Sequence, residues 1–238
     1  MRHYYHNIHT KNKIQIIAVI SALFIICLII FRDNNISQVQ SAFNPIICVA
    51  TDESVYSITA SLDSNVQLTD FRTFIEVANG LNIKITFFVS ESFFKTNVET
   101  IKEVMKYSHE IGFLLENDTS KMSRNEIMRY LANFNDEFYK KCDRYPKYVK
   151  YKNSSEEAGN LFDVLAAFGQ YSIGLQAYSS AESGVIVDIG YIDATSSSKL
   201  ISLVTDAITN KLTSVPLRDL LYDVDIPADT DGKQKYNE

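Results

Sequence analysis

The chain has 238 residues, which is enough for one barrel-sized domain with a short appendage, and its 46% hydrophobic content can fill such a core. Its formal net charge is −6, and because the first 32 residues carry four basic and no acidic side chains, the remainder carries −10. An acidic domain without clusters of Lys and Arg excludes nucleic acid as a partner.

Three cysteines are too few for a disulfide framework. Cys27 lies in an apolar run, so Cys48 and Cys142 are the two that the domain contains. A bridge between them stays open, but two isolated buried thiols are the favoured interpretation.

The first 44 residues divide into three segments. Residues 1–13 are polar and basic, residues 14–31 form an uncharged run of 18 residues, and residues 32–44 are rich in Asn, Ser and Gln. The uncharged run, Ile14 to Phe31, is long enough to cross a membrane as a helix. Because the positive charges lie on its N-terminal side, we expect a cytoplasmic tail, a single span in the cell membrane, a linker and an extracytoplasmic domain.

Two other interpretations of this region stay open. A cleaved signal peptide would need a small-residue site, which Gln40-Ser41-Ala42 offers, although the apolar run exceeds the usual length of a signal core. His3, His6 and His9 repeat every three residues and could face a metal from one side of a helix. Nothing apolar would hold that helix, so an unstructured tail is favoured.

Strand-like and helix-like patterns then alternate along the domain, which we place at residues 45–222. Strands are predicted at 46–51 (as an addition to the domain), 55–62, 83–89, 111–115, 147–151, 172–177, 185–189 and 212–215. Helices are predicted at 70–79, at 97–107 with Asn97 as cap, from a capping box at Ser123–Glu126, from Ser154 or Ser155 to Phe168, at 200–211, and as a turn at 217–221. Residues 223–238 are predicted to be an acidic flexible tail.

This alternation predicts an α/β fold with a parallel sheet. The number of units fits an irregular (β/α) barrel better than an open dinucleotide-binding sheet, and no Gly-rich phosphate loop follows the first strand. The strand at 55–62 ends on Asp63, which places this carboxylate at the end of the barrel where chemistry is done. A solvated loop aspartate is the alternative interpretation.

Three motifs carry a family resemblance. They are Ser61-Leu62-Asp63-Ser64-Asn65, the strand Ile83 to Val89, and Ser108-His109-Glu110-Ile111-Gly112. In order and spacing they resemble the Thr-Phe-Asp-Asp-Gly, Lys-Ala-Thr-Phe-Phe-Val and Gly-His-Glu-Ile-Gly-Asn-His motifs of the polysaccharide deacetylases, the NodB homology domain of carbohydrate esterase family 4. The resemblance extends from Val55 to Leu221. It implies an irregular β/α barrel and, in active members, metal-dependent removal of acetyl groups from a sugar.

The resemblance also shows where this sequence departs from the metal site. Asp63 matches the family's base, whereas Ser64 stands where a metal-binding aspartate belongs, and Leu114 and Asp118 stand at the two metal histidines. A serine hydroxyl is a weak ligand and leucine is none, so we expect no metal cofactor. An oxygen-ligand site for a hard cation such as calcium, built from Asp118 with Asp63, Glu116 and Asn117, remains an alternative.

The remaining catalytic motifs are replaced as well. Lys150 begins the segment that corresponds to the family's Arg-Pro-Pro-Tyr-Gly loop, and Asp188 falls within the segment that corresponds to its Leu-His motif. His109 is the one histidine of the domain, which excludes a two-histidine metal centre and a separate histidine acid. We expect His109 to be a structural cation or donor near a helix C-terminus.

The resemblance and these departures predict a catalytically inactive, membrane-anchored protein that binds cell-wall glycan or acts as a scaffold for envelope proteins. Asp63 is the one retained catalytic position and is expected to be vestigial, while Ser64, Asp118 and Lys150 are expected to bind a ligand at the strand ends. The alternatives are a weak or atypical deacetylase and a protein-interaction module without a glycan ligand. Glycoside cleavage by two of the carboxylates Asp63, Glu116, Asp118 and Asp188 is a remoter option.

Overall fold

The structure is a computed structural model that describes residues 44–151, 159–174 and 180–236. The predicted cytoplasmic tail, membrane span and all but the last linker residue lie outside the described residues, as does the predicted start of the helix at Ser154 or Ser155. Within the described residues, none of the helices has the length and apolar character needed to cross a membrane. The described residues belong to one compact unit, Ala42–Glu238.

Strands and helices alternate through most of this unit, as predicted. In chain order the described elements are β1 (Cys48–Val49), β2 (Val55–Leu62), α1 (Leu68–Gly80), β3 (Ile85–Ser90), α2 (Glu91–Thr96), α3 (Val98–Lys106), β4 (Glu110–Leu115), α4 (Arg124–Cys142), β5 (Tyr148–Tyr151), α5 (Gly159–Ala167), β6 (Tyr171–Ile173), β7 (Ile186–Tyr191), α6 (Ser196–Thr209), β8 (Thr213–Ser214), α7 (Leu217–Leu220) and β9 (Lys233–Gln234).

The main sheet is parallel and has the order β6-β5-β4-β3-β2-β7, with β8 paired to the first residues of β2. Parallel neighbours need a crossover between them, and the intervening helices supply it. The predicted parallel sheet is therefore confirmed, and it curls into the half-barrel expected of an irregular (β/α) barrel.

The segment before β2 connects the two edges of this curled sheet. Ile46 forms a parallel bridge to Ile173 in β6, and Cys48 forms an antiparallel bridge to Val185, next to β7. Gly184 has a φ of +77°, and a Cβ there would lie 2.0 Å from the carbonyl oxygen of Val49. A glycine is therefore required where this segment crosses β7. The segment predicted to be an addition to the domain instead closes the barrel.

Each face of the sheet has its own hydrophobic cluster among the described residues. Successive side chains of a strand point to opposite faces, so Tyr56, Ile58, Ala60 and Leu62 of β2 pack in the cluster that includes the helices, which contribute Phe71, Phe74, Ile101, Leu131 and Phe134. The inner cluster contains Phe88, Leu114, Tyr148, Ile173 and Ile186. β2 turns the polar residues Ser57, Thr59 and Ser61 to that inner side, and all three are buried.

Of the two helix caps that the sequence predicts, one is present in the structure and the other is not. Ser123 and Glu126 form the predicted capping box, in which the Ser123 backbone N–H donates to Glu126 Oε2 at 2.8 Å. Asn97 was predicted to cap α3, but its side chain donates to the Phe93 carbonyl oxygen at 3.0 Å. That bond terminates α2, a short helix that the sequence did not predict and that begins at the cap residue Ser90.

The predicted flexible tail needs correction for residues 223–236, which pack against the domain. β9 pairs with β1 in parallel. The Gln234 side chain is fully buried, where its Nε2 donates to the carbonyl oxygens of Ile226 at 2.9 Å and Asp223 at 3.1 Å, and its Oε1 accepts the Tyr222 N–H at 2.9 Å. The segment is thus held to the domain by a buried amide and not by apolar side chains. Apolar side chains would have produced a recognisable sequence pattern, whereas a single glutamine does not.

Replacing Gln234 by Leu should destabilise the domain by about 2–3 kcal/mol, because one backbone N–H and three carbonyl oxygens lose their partner. The measurement is urea unfolding followed by circular dichroism. The control is Lys235→Ala, a change at the residue after Gln234 that breaks the surface ion pair between Lys235 and Asp229. This variant should leave the unfolding midpoint unchanged. Equal midpoints for both variants would show that the C-terminal segment is not part of the folded unit.

Candidate functional site

Polar residues follow directly after three neighbouring strands of the sheet. Asp63 follows β2, Glu91 follows β3 and Glu116 follows β4. Since the carboxyl ends of parallel strands meet at one end of a barrel, these residues lie at the same end. We call this end the mouth and define it by residues 63–65, 91–95 and 116–118.

Asp63 is buried, with 7% of its surface exposed, so it is not the solvated loop residue of the alternative interpretation. Its Oδ1 accepts the backbone N–H of Asn65 at 2.9 Å, and its Oδ2 accepts the Asn65 side-chain amide at 3.1 Å. Both carboxylate oxygens therefore hold the loop that follows β2, as aspartates in tight turns do. This arrangement gives the retained carboxylate a local structural task.

The positions that correspond to metal ligands do not form a metal site. Ser64 is exposed, Leu114 is 1% exposed within the inner cluster, and Asp118 is exposed and accepts the Ser120 N–H at 3.0 Å. The hydrogen bond from Ser120 lowers the pKa of Asp118. In the part of the chain that the structure describes, no three His, Cys, Asp or Glu side chains are placed to hold a metal ion. With a hydroxyl and an aliphatic side chain at two of the ligand positions, the donor set does not fit the divalent metal of active polysaccharide deacetylases.

Lys150 lies inside the barrel and not at the mouth. Its side chain is 1% exposed, and its Nζ lies 2.6 Å from Asp188 Oδ2 and 3.0 Å from Ser61 Oγ. The other carboxylate oxygen, Asp188 Oδ1, accepts the Thr59 hydroxyl at 3.0 Å. Burial lowers the pKa of Lys150, and the Asp188 carboxylate opposes that shift. We therefore correct the assignment of Lys150 as a ligand-binding residue, because its ammonium group is bound within the protein.

This pair connects strands that do not neighbour each other. Lys150 belongs to β5 and Asp188 to β7, and the hydroxyls that complete the network come from β2. The Lys150 ammonium also lies 5.5 Å from the centre of the Phe88 ring, within range of a cation–π interaction. Because Asp188 falls in the segment that corresponds to the family's acid histidine, this segment serves an internal ion pair here.

The mouth contains a cavity of about 310 Å³ that the sequence analysis did not foresee. It is lined by Glu91, Ser92, Lys95, Leu114, Glu116, Asn117 and Tyr130. The Tyr130 hydroxyl donates to Glu91 Oε2 at 3.2 Å, and burial together with the Glu91 carboxylate raises the pKa of Tyr130. Glu91 could have been found by the rule that led to Asp63, because it directly follows a strand. Tyr130 reaches the mouth from α4, and no local pattern indicates that reach.

His109 has a structural role. Its ring is 3% exposed, packs edge-to-face on Phe87 and accepts the Ile85 backbone N–H at Nδ1 over 3.1 Å. Burial lowers its pKa to about 4, and Lys84 adds to the shift. His109 is therefore neutral at pH 7 and joins the start of β4 to the start of β3 as an acceptor. The predicted structural role therefore holds, but the ring is not a cation, and it bonds to the backbone as an acceptor.

Cys48 and Cys142 are free thiols, each partly buried, and burial raises the pKa of both. Raised pKa values keep the thiols protonated and unreactive at neutral pH. The two thiols are unpaired, as predicted, but each is partly exposed, whereas full burial was expected.

Comparison with known proteins identifies the fold. No protein-family profile matches the chain, and no curated protein sequence matches it either. Solved structures do match. A family 4 carbohydrate esterase from Bacillus subtilis aligns with a TM-score of 0.62 and 18% identity, over 75% of this chain and 85% of that one.

Two further solved structures extend the comparison. A chitin deacetylase from the fungal pathogen Colletotrichum lindemuthianum aligns with a TM-score of 0.63 and 16% identity, over 76% of this chain and 92% of that one. A family 4 pseudoenzyme from Bacillus anthracis aligns with a TM-score of 0.61 and 14% identity, over 82% and 73%. At these identities the likeness concerns the fold, and it confirms the polysaccharide deacetylase fold that the motifs predicted.

Lys150→Ala is expected to destabilise the protein by about 3–5 kcal/mol, because it leaves the Asp188 carboxylate buried without its partner. The double variant Lys150→Met with Asp188→Leu removes both charges and should recover most of that loss. Guanidinium unfolding of the two variants measures the difference. If the double variant is as unstable as the single one, the unpaired charge is not the cause.

The stability of the protein should fall as the pH is lowered from about 6.5 to about 4. In this range the unfolded chain binds a proton on His109 that the folded protein, with its lowered pKa, does not, so the proton favours unfolding by about 3 kcal/mol. His109→Gln can still accept from the Ile85 N–H but does not titrate. The unfolding free energy of this variant should lose that part of the pH dependence, and an unchanged pH profile would contradict the role of His109.

Proposed function

We propose that this chain, which has the fold of the polysaccharide deacetylases, is a membrane-anchored extracytoplasmic protein that binds cell-envelope glycan without hydrolysing it. The observation that carries the proposal is the replacement of the metal ligands by an exposed hydroxyl, Ser64, and a buried aliphatic side chain, Leu114. Deacetylation in this fold depends on a metal that activates water and stabilises the oxyanion. A site that offers these side chains lacks the donors for that metal.

The internal ion pair supports the same proposal. A general acid must deliver its proton to the leaving group within hydrogen-bond distance. Asp188, in the segment that corresponds to the family's acid, is 8% exposed and bound to Lys150 at 2.6 Å. Delivering a proton from this carboxylate would require the pair to be broken inside the barrel, which is costly.

One structural neighbour offers a precedent for a deacetylase fold without activity. The Bacillus anthracis protein is described as a family 4 pseudoenzyme, and a mutant of it has restored enzymatic activity. For that protein, loss of activity has left the fold intact. The same separation of fold and catalysis is what we propose for this chain.

The glycan ligand is proposed from the chemistry of the mouth and from the neighbours. One neighbour is a peptidoglycan N-acetylglucosamine deacetylase and another is a chitin deacetylase, so both act on polymers of amino sugars. The mouth cavity presents the Glu91 carboxylate, the Asn117 amide and the Tyr130 hydroxyl, which are groups that bind sugar hydroxyls. Ser64 and Asp118 are exposed at the mouth and remain proposed contacts for the ligand.

The proposed location in the cell envelope rests on the apolar segment Ile14 to Phe31. This uncharged run is long enough to span the membrane, and the basic residues before it favour a cytoplasmic N-terminus. The domain would then face the cell wall, where envelope proteins are further candidate partners for a scaffold.

The test uses the full-length chain, recovered from the membrane fraction of the expressing cells. We expect it to be retained on insoluble chitin or peptidoglycan and to release no acetate from N-acetylglucosamine oligomers when zinc, cobalt or nickel is supplied. Asp63→Asn should leave glycan retention unchanged, since the Asn65 contacts make this carboxylate structural, and Asp70→Asn on α1 is the matched control.

Three results would contradict the proposal. Metal-dependent acetate release that Asp63→Asn abolishes would favour the weak deacetylase. If neither chitin nor peptidoglycan retains the chain, the protein-interaction module is favoured. Recovery of the chain mainly in the soluble fraction would contradict the membrane anchor.

A further inference from the structure

A second cavity, larger than the one at the mouth, lies at the opposite end of the barrel. It has a volume of about 630 Å³, within the range of ligand-binding sites. It opens where β4 and β5 begin, beside the loops that precede them. We call it the basal cavity and define it by six of its lining residues, His109, Glu110, Arg144, Tyr145, Lys147 and Arg218.

An exposed pair of aromatic rings borders the basal cavity. Tyr145 lines it with 55% of its surface exposed and stacks on Tyr139, which is 43% exposed, with ring centres 4.7 Å apart and planes 15° apart. The stacking holds both rings in a fixed orientation although neither belongs to the hydrophobic clusters of the domain. Rigid, exposed tyrosines supply contact area at low entropic cost, and their faces suit the C–H groups of a sugar ring.

The charges around the basal cavity are predominantly positive. Arg144 and Lys147 are exposed, and neither makes an ion pair with any described residue. The Glu110 carboxylate is already engaged, because it accepts the Thr86 hydroxyl at 2.8 Å and the Leu217 N–H at 2.9 Å and pairs with Arg218 at 3.4 Å. An exposed carboxylate, Asp143, also lines the cavity. The two unengaged cations thus leave the cavity suited to an anionic group.

One buried donor in the basal cavity has no acceptor. His109 Nδ1 accepts the Ile85 N–H, so the proton of the neutral ring is on Nε2. Among the described residues His109 Nε2 has no hydrogen-bond partner, although the ring is 97% buried. An unpartnered buried donor is unfavourable, and an oxygen atom of a bound molecule would supply its acceptor.

From these features we infer that the basal cavity binds an acidic saccharide, in which a sugar ring stacks on Tyr145 and a carboxylate lies near Arg144 and Lys147. This inference rests on the proposed glycan-binding function and adds to it a second site and a ligand class. The stacked tyrosines select a sugar ring, and the free cations select a carboxylated one over a neutral one.

The experiment measures binding of two probes to the full-length chain in detergent by isothermal titration calorimetry. The acidic probe is a tetrasaccharide of alternating glucuronate and N-acetylglucosamine, and the neutral probe is the N-acetylglucosamine tetramer. We expect the acidic probe to bind at least about tenfold more tightly, since one charge-assisted contact of about 1.4 kcal/mol changes the dissociation constant tenfold.

Two variants locate the site. Tyr145→Ala should weaken binding of the acidic probe about tenfold, and Arg144→Gln should remove most of the preference for the acidic probe. The matched controls are Tyr236→Ala and Arg72→Gln, which change an exposed tyrosine and an exposed arginine that do not line the cavity. Both controls should bind as the unmodified chain does. Thermal unfolding verifies that each variant is folded, and Lys147→Gln replaces Arg144→Gln if that variant is not.

The possible failures are distinguishable. If the chain binds a probe but the two cavity variants bind it unchanged, the basal site is refuted while the proposed glycan binding stands. Equal affinity for the acidic and neutral probes would refute the acidic ligand class. If neither the probes nor the insoluble polymers bind, the proposed function fails together with the inference.

Discussion

The ion pair between Lys150 and Asp188 is the interaction on which the interior of this barrel depends. Two charges removed from water are stable only when each is paired and the remaining polar atoms are hydrogen-bonded. Ser61 and Thr59 complete that requirement, because their hydroxyls bind the ammonium and the carboxylate. Since the four side chains come from β2, β5 and β7, the pair fixes how strands that are not neighbours face one another across the barrel. Its two charges compensate each other inside the barrel, in segments that resemble catalytic motifs.

The two ends of the barrel, the mouth and the base, carry separate cavities. At the mouth, Leu114 belongs to the inner hydrophobic cluster and leaves a cavity bordered by Glu91 and Tyr130. At the opposite end, Glu110 lines the basal cavity and accepts the Leu217 N–H at the start of α7. The two cavities therefore have different chemistry, with the Glu91 and Glu116 carboxylates at the mouth and, at the base, the cations Arg144 and Lys147, which pair with none of the described residues. Under the proposed function, both ends of the domain are available for binding.

The closure of the barrel depends on chain segments that look like appendages. Residues 46–49 bridge β6 to β7, and β9 in turn pairs with β1. Gln234 is the anchor of this arrangement, because its buried amide bonds four backbone groups of the turn that precedes it. The N-terminal and C-terminal segments of the domain thereby stabilise each other. Because the first of them covers both edges of the sheet, no further strand is needed there.

The sequence by itself determined most of the succession of strands and helices, the parallel sheet and the start of α4, because each follows from local periodicity or from a capping box such as Ser123–Glu126. It also determined that a two-histidine metal centre cannot form, since the domain contains His109 alone. Only the tertiary structure decided that Lys150 is buried and that Gln234 holds the C-terminal segment. It also decided that Tyr145 stacks on Tyr139 at a cavity lined by Arg144 and Lys147. The reason is physical: when both faces of a strand are buried, alternation does not tell which face is the interior. The partner of a polar side chain is then set by residues that are distant in sequence.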